Sequence, residues 1–482
     1  MTFRHRGNSS TFRSFSMGVC ALAAVSASWA QDASMQSEEL EVIVVTAQRR
    51  SESLQSVPIQ VAAFSAADIE DAGIKSTGDF VALVPNVSFD ESSTYLSSAI
   101  AVRGVSQIFG GDSPVAFVID GVPQNSHLQQ KMKLFDVERI EVLKGPQGGI
   151  YGRNAIGGAI NIITKAPSDH LEGFLESSYG RGDALDVTAG VSTPVGDSAG
   201  LRLSGSYNTD DGRIRNVYRG DNADAINHDW ELRGKMTAEL ADTINVDLRA
   251  AYRDFDAAAN SVSVVPSARA DDYQPPRSNL GGISVGDIFD ASGKIDIDLG
   301  GVTLTSISAY TELEENFRSD ADLSNLVDNP GGFLDLGFGL AFGIDSLTKQ
   351  TSQEIRLVSD AEAPFRWILG AYYLDASRLN TNYAWVDTDG TFDHIHDPAL
   401  QLQKSPESNE NSAYAGYLTL DYDIGDHLTL SGAFRYDHDH RRQLNLTTGA
   451  VRTKDFSSPQ PKATVTYKFT PERMVYATYS KG

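Results

Sequence analysis

The stretch HLTLSGAFRYDH, His427–His438, alternates apolar with polar side chains. Leu428, Leu430 and Phe434 share one set of alternate positions, and polar residues such as Arg435 lie between them. Successive side chains of a β-strand point to opposite faces, so the alternation predicts a strand with one apolar and one polar face. The fold therefore depends on how often this pattern returns and on what covers the apolar face.

The same alternation recurs through the second part of the chain. It is clear in LRLSGSYN (201–208), YAGYLTLDYDI (414–424) and KATVTYKF (462–469). We therefore predict an antiparallel β-sheet in this part of the chain. About thirteen strands are predicted, near Leu171, Asp186, Leu201, Trp230, Ile244, Ile288, Val302, Thr351, Phe365, Tyr414, Leu428, Lys462 and Met474.

Two architectures are compatible with such strands: a β-sandwich with polar faces in water, and a β-barrel with its apolar face in lipid. The segments have about the 9–11 residues that a tilted membrane-spanning strand needs. Gly425-Asp426 is a tight turn, whereas 256–285 and 379–408 are predicted to be long polar loops. Such unequal connections are typical of a transmembrane barrel, as are aromatic side chains towards the strand ends. These aromatic residues include Tyr207, Tyr252, Tyr310, Tyr436 and Phe469.

The strand count bears on whether the barrel closes. An open sheet edge in lipid leaves backbone groups unpaired, and bacterial single-chain barrels have even strand numbers. Barrels that enclose a folded plug belong to the class with about 22 strands. We therefore expect residues 168–482 to form part of a 22-stranded barrel whose remaining strands lie beyond Gly482.

The N-terminus has the layout of a secretory signal peptide. A segment with three arginines precedes the apolar stretch SMGVCALAAVSA (16–27), and small residues suited to cleavage end at Ala30. The apolar stretch is too short to cross a bilayer as a helix, which takes about 20 residues. We predict that residues 1–30 are removed, with the only cysteine of the chain, and that 31–56 form a periplasmic segment.

The charge of the chain argues against one class of partner. Its 482 residues carry a formal net charge of −24, whereas binding to nucleic acid needs clustered lysine and arginine. The sequence has no His-Glu-x-x-His motif and, without the signal peptide, no thiol. We therefore expect no nucleic-acid partner, no cofactor and no catalytic residues.

Residues 57–167 show a different pattern, with short strands and helices separated by glycine and proline. The stretch GPQGGIYGRNAIGG (145–158) contains six glycines, which a phosphate-binding loop could explain. Such a loop leads into a helix, but here the alternating stretch AINIITK (159–165) follows. We interpret the glycines as turn and packing positions of a compact α+β domain. Its predicted strands are AIAVRGV (99–105), VAFVIDGV (115–122), RIEVLKG (139–145) and NIITK (161–165).

These features together resemble the TonB-dependent receptors, the energised transporters of the outer membrane. EVIVVTAQRR (41–50) is similar to a TonB box with its trailing basic pair. The stretches AVRGV (101–105), VAFVIDGVP (115–123) and DVERIEVLKGPQGGIYGRNAIGGAINIITK (136–165) are similar to the family's plug core. TSQEIRLVS (351–359) resembles a barrel segment of the same family. The resemblance implies a plug domain over 57–167 inside the barrel of residues 168–482.

The resemblance also implies roles for individual residues. The TonB box would consist of Glu41, Val42, Ile43, Val44, Val45, Thr46 and Ala47. The structural positions of the plug would be Arg103, Gly104, Asp120, Gly121, Glu138, Arg139, Glu141, Lys144, Gly145, Tyr151, Gly152, Gly157 and Gly158. The charged members Arg103, Glu138, Arg139, Glu141 and Lys144 either pair with the barrel wall or form the polar face of an edge strand.

The resemblance implies transport rather than catalysis. An extended β-branched segment such as 41–47 can add a strand to a partner's sheet and transmit force, although it could instead be an edge strand of the plug. The implied partner is TonB with its inner-membrane energising complex, and we expect a monomer in the outer-membrane lipid of a Gram-negative bacterium. Family analogy favours a ferric siderophore, a small-molecule metal chelate, as cargo. Cobalamin, oligosaccharides and aromatic compounds remain alternatives, as do a passive porin or adhesin and a non-functional fragment.

Family analogy also places the cargo against the outward-facing turns of the plug, at 106–113 and 124–132. Two histidine pairs could instead bind a metal, but a polar loop and a strand end are the simpler interpretations, and we predict no metal site. These pairs are His394 with His396 and His438 with His440. The ligand candidates are Gln107, Phe109, Asp112 and His127.

Overall fold

The computed structural model of the protein describes residues 44–46, 49–50, 52–91, 94–107, 111–259, 262, 274–329, 337–470 and 473–481. The predicted signal peptide, residues 1–30, lies outside the described residues, as do Glu41, Val42, Ile43, Ala47 and Phe109. The described residues form a 13-stranded antiparallel sheet, called the wall below, and a small mixed domain, called the plug. The predicted mainly β fold with an α+β domain is therefore confirmed.

Within its described residues the plug contains nine short strands and three helices, with 3-10 turns at Leu54–Ser56 and His127–Gln129. Strands β3, β8, β9, β6 and β7 form one sheet in that order, in which only β6 and β9 run parallel. The predicted plug strands coincide with β5, β6, β8 and β9. The elements are β1 Val44–Val45, β2 Glu52–Ser53, β3 Gln60–Ser65, α1 Ala66–Asp71, α2 Thr77–Leu83, β4 Val87–Glu91, β5 Ser98–Val102, β6 Val115–Ile119, β7 Val122–Pro123, β8 Val137–Lys144, α3 Gly148–Tyr151 and β9 Gly158–Thr164.

Alternation along the plug strands divides the core between the two faces of the five-stranded sheet. On one face Phe117, Ile140 and Ile160 pack with Phe80 of α2 in a fully buried cluster. On the other face the neighbouring residues of the same strands, such as Leu143, pack against the N-terminal segment and α3. A sheet buried on both faces has strands that are apolar almost throughout, which explains the sequences of β6 and β9.

The first plug helix begins where a serine can cap it. The backbone N–H of Asp68 donates to Ser65 Oγ at 3.2 Å, and the backbone N–H of Ser65 donates to the Asp68 carboxylate at 2.8 Å. This reciprocal capping box satisfies backbone donors that the first turn leaves free. None of the helices among the described residues combines the length and the apolar character needed to cross a membrane.

The wall contains all thirteen predicted strands, each paired antiparallel with the next along the chain. Within the described residues β10 and β22 are the two edges of this sheet, which is open between them. The strands are β10 Glu172–Gly180, β11 Ala184–Val195, β12 Ala199–Asp210, β13 Ile226–Ala241, β14 Ile244–Ala259, β15 Gly282–Asp298, β16 Val302–Asp320, β17 Gly339–Ser359, β18 Phe365–Asp387, β19 Gln401–Ile424, β20 Leu428–Asn445, β21 Val451–Thr470 and β22 Arg473–Ser480.

The two faces of the wall differ in chemistry. In β12, Leu203 is 49% exposed, whereas its neighbours Arg202 and Ser204 are buried. In β13, Leu232 is 60% exposed beside the buried Arg233. The apolar face therefore points outward, as for a strand in lipid, and the polar face points toward the plug.

Several strands extend beyond the predicted limits. The loops expected at 256–285 and 379–408 are shorter than that prediction, because β14 continues to Ala259 and β15 begins at Gly282, while β18 continues to Asp387 and β19 begins at Gln401. These strands have more residues than a bilayer crossing needs, so their ends pair outside it; near the end of β18, Tyr383 and Trp385 are buried with Leu280 instead of facing lipid. The longer connections, including 211–225 and 388–400, all lie at one end of the wall. We call this end the long-loop face and the opposite end, with the turns 242–243 and 425–427, the short-turn face.

Candidate functional site

The described part of the predicted TonB box is docked on the plug. Val44 and Val45 pair with Ser53 and Glu52 as the two-residue ladder of β1 and β2, and Val45 is fully buried. The backbone N–H of Thr46 donates to Glu141 Oε1 at 2.8 Å. The segment is therefore held by one short ladder and a few side-chain contacts, a small set of interactions for a partner to replace.

The basic pair after the box joins this segment to the wall. Arg49 Nη1 lies 2.8 Å from Glu354 Oε2, and Arg50 Nη1 lies 3.1 Å from Asp421 Oδ2, both near short-turn ends of wall strands. The guanidinium of Arg49 also lies 5.4 Å from the ring centre of Tyr151 in α3. Burial alone would lower the pKa of Arg49, but the charge of Glu354, the hydrogen bond to it and the nearby Tyr417 and Tyr151 together raise that pKa. The ion pair thus keeps a buried charge in place.

Of the two alternatives for the charged plug residues, pairing with the wall is wrong among the described residues, and β8, which carries four of them, is not an edge strand but lies between β3 and β9. Arg139 pairs with Glu138 and, at 3.0 Å, with Glu141, all within β8. Arg103 donates to Gln60 at 2.7 Å, inside the plug. Lys144 donates to the backbone carbonyl of Pro85 at 3.2 Å. These side chains pair with residues of the plug itself, so their charges and hydrogen-bonding groups have partners without any contact with the wall.

Other plug residues make the contacts with the wall. Asp120 lies 3.5 Å from Lys235 and 3.5 Å from Arg249, and its carboxylate accepts hydrogen bonds from Thr164. Burial alone would raise the pKa of Asp120, but the two cations and the hydrogen bonds lower it. Asp136 likewise pairs with Arg202 at 2.5 Å. Asp120 was predicted as a structural position of the plug, but its partners, more than 100 residues away along the chain, were not.

Only some glycines of the glycine-rich stretch adopt backbone angles that require glycine. Gly145 and Gly152 have φ angles of 95° and 76°, which L-residues with a side chain rarely adopt. A methyl group on Gly152 would also overlap the guanidinium of Arg435 in the wall. Gly148 and Gly149 begin α3 without positive φ and are packing positions, since a methyl group on Gly148 would lie 1.7 Å from the side chain of Gln460 in the wall. Gly104 and Gly121 have positive φ, Gly157 does not, and Gly158 begins β9 against the carbonyl of Leu143.

A cavity of about 490 Å³ opens between the plug and the long-loop half of the wall, and we call it the outer cavity. Asp112 and Arg153 of the plug line it opposite Arg441 of β20. Arg441 Nη2 lies 2.7 Å from Asp112 Oδ2 and 3.1 Å from Asp439 Oδ2. Burial alone would raise the pKa of Asp112, but Arg441 lowers it through charge and hydrogen bonding.

The four predicted ligand residues lie in different surroundings. Asp112 lines the outer cavity, and His127 lies close enough to Arg378 of its lining to feel that charge. Burial, and then the charge of Arg378, lower the pKa of His127 to about 4, so its imidazole is neutral at pH 7. Gln107 donates to the carbonyl of Ser98 at 3.4 Å and does not line the cavity. Phe109 lies outside the described residues, and the role of all four in binding stays a prediction.

Neither histidine pair forms a metal cluster with other ligand side chains in the described ranges. His394 contacts Asp389 at 3.0 Å, and the ring of His396 packs edge-on against Tyr383. His438 and His440 face away from the plug, because the alternation of β20 turns Asp437, Asp439 and Arg441 inward. The same alternation in the sequence could have identified Arg441 as a cavity residue.

Known families and structures match this arrangement. Residues 53–159 match the TonB-dependent receptor plug domain, and residues 168–482 match the β-barrel of TonB-dependent receptors. Over 163 residues the chain is 32% identical to the pesticin receptor of Yersinia pestis, covering 34% of this chain and 24% of that receptor. Over 179 residues it is 32% identical to the vitamin B12 transporter BtuB of Vibrio vulnificus strain CMCP6, covering 36% of this chain and 28% of that transporter.

The structure of the ferric yersiniabactin uptake receptor FyuA from Yersinia pestis has a similar fold. Its TM-score is 0.73 at 19% identity, and the match covers 87% of this chain and 64% of that chain. The sequence matches to the curated relatives span only about a quarter of their length. At this level of identity the structural likeness shows the fold alone.

Proposed function

Because this chain belongs to the TonB-dependent receptor family, we propose that it is an active transporter that imports a ferric siderophore under the control of TonB. Family membership places the chain in the outer membrane of a Gram-negative bacterium. It also makes the chain a receptor and not an enzyme, as predicted.

The observation that carries the proposal is the position of two features on opposite faces. The outer cavity opens at the long-loop face, and the docked box segment lies near the short-turn face. One short piece of plug reaches both, because Arg153 lines the cavity and Tyr151, two residues earlier, packs against Arg49. A ligand that displaces Arg153 would therefore act on a residue that supports the box segment.

The weak docking of the box segment suits a switch. Its ladder has two residue pairs, so an incoming strand of TonB can replace these hydrogen bonds by the same kind of bonds. The larger barrier to release lies in the buried pair of Arg49 and Glu354. After release the box segment would be exposed and extended. TonB, driven by energy from the inner membrane, would then pull on this segment and rearrange the plug.

A ferric siderophore is supported by the names of the relatives. FyuA is described as a ferric yersiniabactin uptake receptor. A vitamin B12 transporter is also among the relatives, so the family alone leaves cobalamin as an alternative cargo.

The test is uptake of radioactive iron chelates by cells that lack their own receptors and produce this chain. Uptake of at least one siderophore chelate that stops on addition of a protonophore would support the proposal. Uptake that a protonophore leaves unchanged would indicate a passive porin instead. Energised uptake of labelled cobalamin, with no uptake of any iron chelate, would retain the transporter and refute the siderophore.

Protein abundance provides an independent check on the cargo. The amount of this protein in outer membranes should rise strongly when the native bacterium grows with an iron chelator. An unchanged amount, with the protein present, would favour a carbon compound or cobalamin.

A further inference from the structure

Four charged side chains form an alternating ring at the floor of the outer cavity. Asp112 contacts Arg441 at 2.7 Å, and Arg441 contacts Asp439 at 3.1 Å. Arg153 closes the ring, 3.4 Å from Asp439 and 3.9 Å from Asp112. Two members belong to the plug and two to β20, so the ring joins the plug to the wall at its outer end.

The ring is reachable and not fully satisfied. The side chains of Arg441 and Asp112 are 43% and 35% exposed, so a ligand in the cavity can contact both. Arg153 Nη1 and Asp439 Oδ1 are buried and have no hydrogen-bond partner in the described part of the chain. Buried polar atoms without partners are costly, and these two leave one free donor, Arg153 Nη1, and one free acceptor, Asp439 Oδ1, beside the cavity floor.

The charge of the cavity lining is opposite in sign to the net charge of the chain. The protein has a net charge of −24, yet six cationic side chains line this cavity against three lining carboxylates and Asp439 of the ring. Of the six, Arg378, Arg452 and Lys454 form no ion pair with any described residue. Cations lining a concave site raise the local concentration of anions and attract them from solution.

We propose that the outer cavity binds an anionic, oxygen-rich chelate whose oxygen atoms replace Asp112 as the partner of Arg441. This inference rests on the proposed function and specifies its cargo as a carboxylate- or catecholate-bearing chelate. The planar guanidinium of Arg441 suits paired anionic oxygens, and the unpaired cations complete the neutralisation of the cargo. An uncharged cargo would have to separate Asp112 from Arg441 without replacing the lost charge.

The exchange has a structural consequence at the plug. Asp112 loses its short contact with the wall when a cargo oxygen takes its place beside Arg441. The remaining charged partner of Asp112 in the ring is Arg153, at 3.9 Å, which belongs to the plug itself. Within the ring, only the contact of Arg153 with Asp439, at 3.4 Å, then still joins the plug to β20. Occupancy of the cavity is thereby coupled to the contact between plug and wall.

The experiment measures binding by equilibrium dialysis with the full chain in detergent micelles. The probes are an anionic iron(III) tricatecholate chelate and an uncharged iron(III) trihydroxamate chelate. We expect the anionic probe to bind at least tenfold more tightly. Arg441→Gln should weaken anionic binding about tenfold, equal to about 1.4 kcal/mol, and should not weaken binding of the neutral probe. Arg213→Gln, on an exposed arginine of another long-loop connection, is the matched control and should change neither.

Asp112→Asn makes the test independent of folding defects. Removing the competing carboxylate should strengthen anionic binding severalfold, a gain that misfolding cannot produce. Equal binding of the two probes, or weaker anionic binding by Asp112→Asn, would overturn the inference.

If uptake is energised but prefers the uncharged chelate, the inference fails and the proposal of an active transporter stands. If the anionic preference holds and a protonophore has no effect on uptake, the transporter fails instead.

Discussion

Loss of the charge on Arg49 should release the box segment from the plug. Arg49 and Glu354 are 8% and 4% exposed, and their charged atoms are 2.8 Å apart. Removing one partner of a buried ion pair typically costs about 3–5 kcal/mol. Glu354 keeps other partners, Arg356 at 3.2 Å and the hydroxyl of Tyr417 at 2.5 Å, so we expect the lower end of this range. At about 1.4 kcal/mol per tenfold, Arg49→Gln should raise the released population roughly a hundredfold.

The assay is the rate of maleimide labelling of a cysteine placed at Val45 in outer-membrane fragments. Val45 is fully buried when docked, so labelling reports the released state. The only native cysteine, Cys20, lies in the predicted signal peptide. Arg49→Gln should speed labelling about a hundredfold over the Val45→Cys parent. Arg103→Gln, on an exposed plug arginine whose side chain donates to Gln60 within the plug, should leave the rate unchanged. An unchanged rate in Arg49→Gln would refute the role of this ion pair in docking.

Three further predictions concern the plug. Val44→Pro should abolish energised uptake and preserve ligand binding, because proline removes a backbone donor from the segment predicted to pair with TonB. Uptake at the parent rate would refute the assignment of the TonB box. Lowering the pH through the window from 6.5 to about 4 should destabilise the fold, by up to about 2 kcal/mol at pH 5, because the imidazole binds a proton in the unfolded chain but not when His127 is buried. The accompanying fall in apparent Tm should be smaller in His127→Gln. An equal fall in the two proteins would exclude a role of this histidine. Gly152→Ala should lower the apparent stability by about 1 kcal/mol or more, since this position has a φ of 76° and lies beside Arg435. Gly432→Ala is the control, because open space surrounds Gly432, and it should not lower the stability. Equal melting temperatures of the two variants would contradict backbone strain at position 152.

The wall could be predicted strand by strand because its signal is local. Each strand repeats every two residues, so Leu428 and Phe434 identify the outward face without knowledge of any neighbour. All thirteen predicted strands are present for this reason. The strand ends at Asp387 and Gln401 were misjudged: backbone pairing continues there, and Tyr383 and Trp385 near this end are buried with Leu280 instead of facing lipid.

The site was only partly predictable. Asp112 was identified from its place in the plug, but its partner Arg441 lies 329 residues away along the chain. Arg49 was noted only as part of a basic pair, and its partner Glu354 lies 305 residues away.

The sequence alone therefore determined the type of fold and the strands, since these depend on periodicity, and its local motif predicts the segment that would bind TonB. Only the tertiary structure decided which charges meet, that the box segment is docked, and that an acidic chain has a cationic cavity. These features depend on the register of each strand and on how the wall curves around the plug, and neither is encoded within a short stretch of sequence.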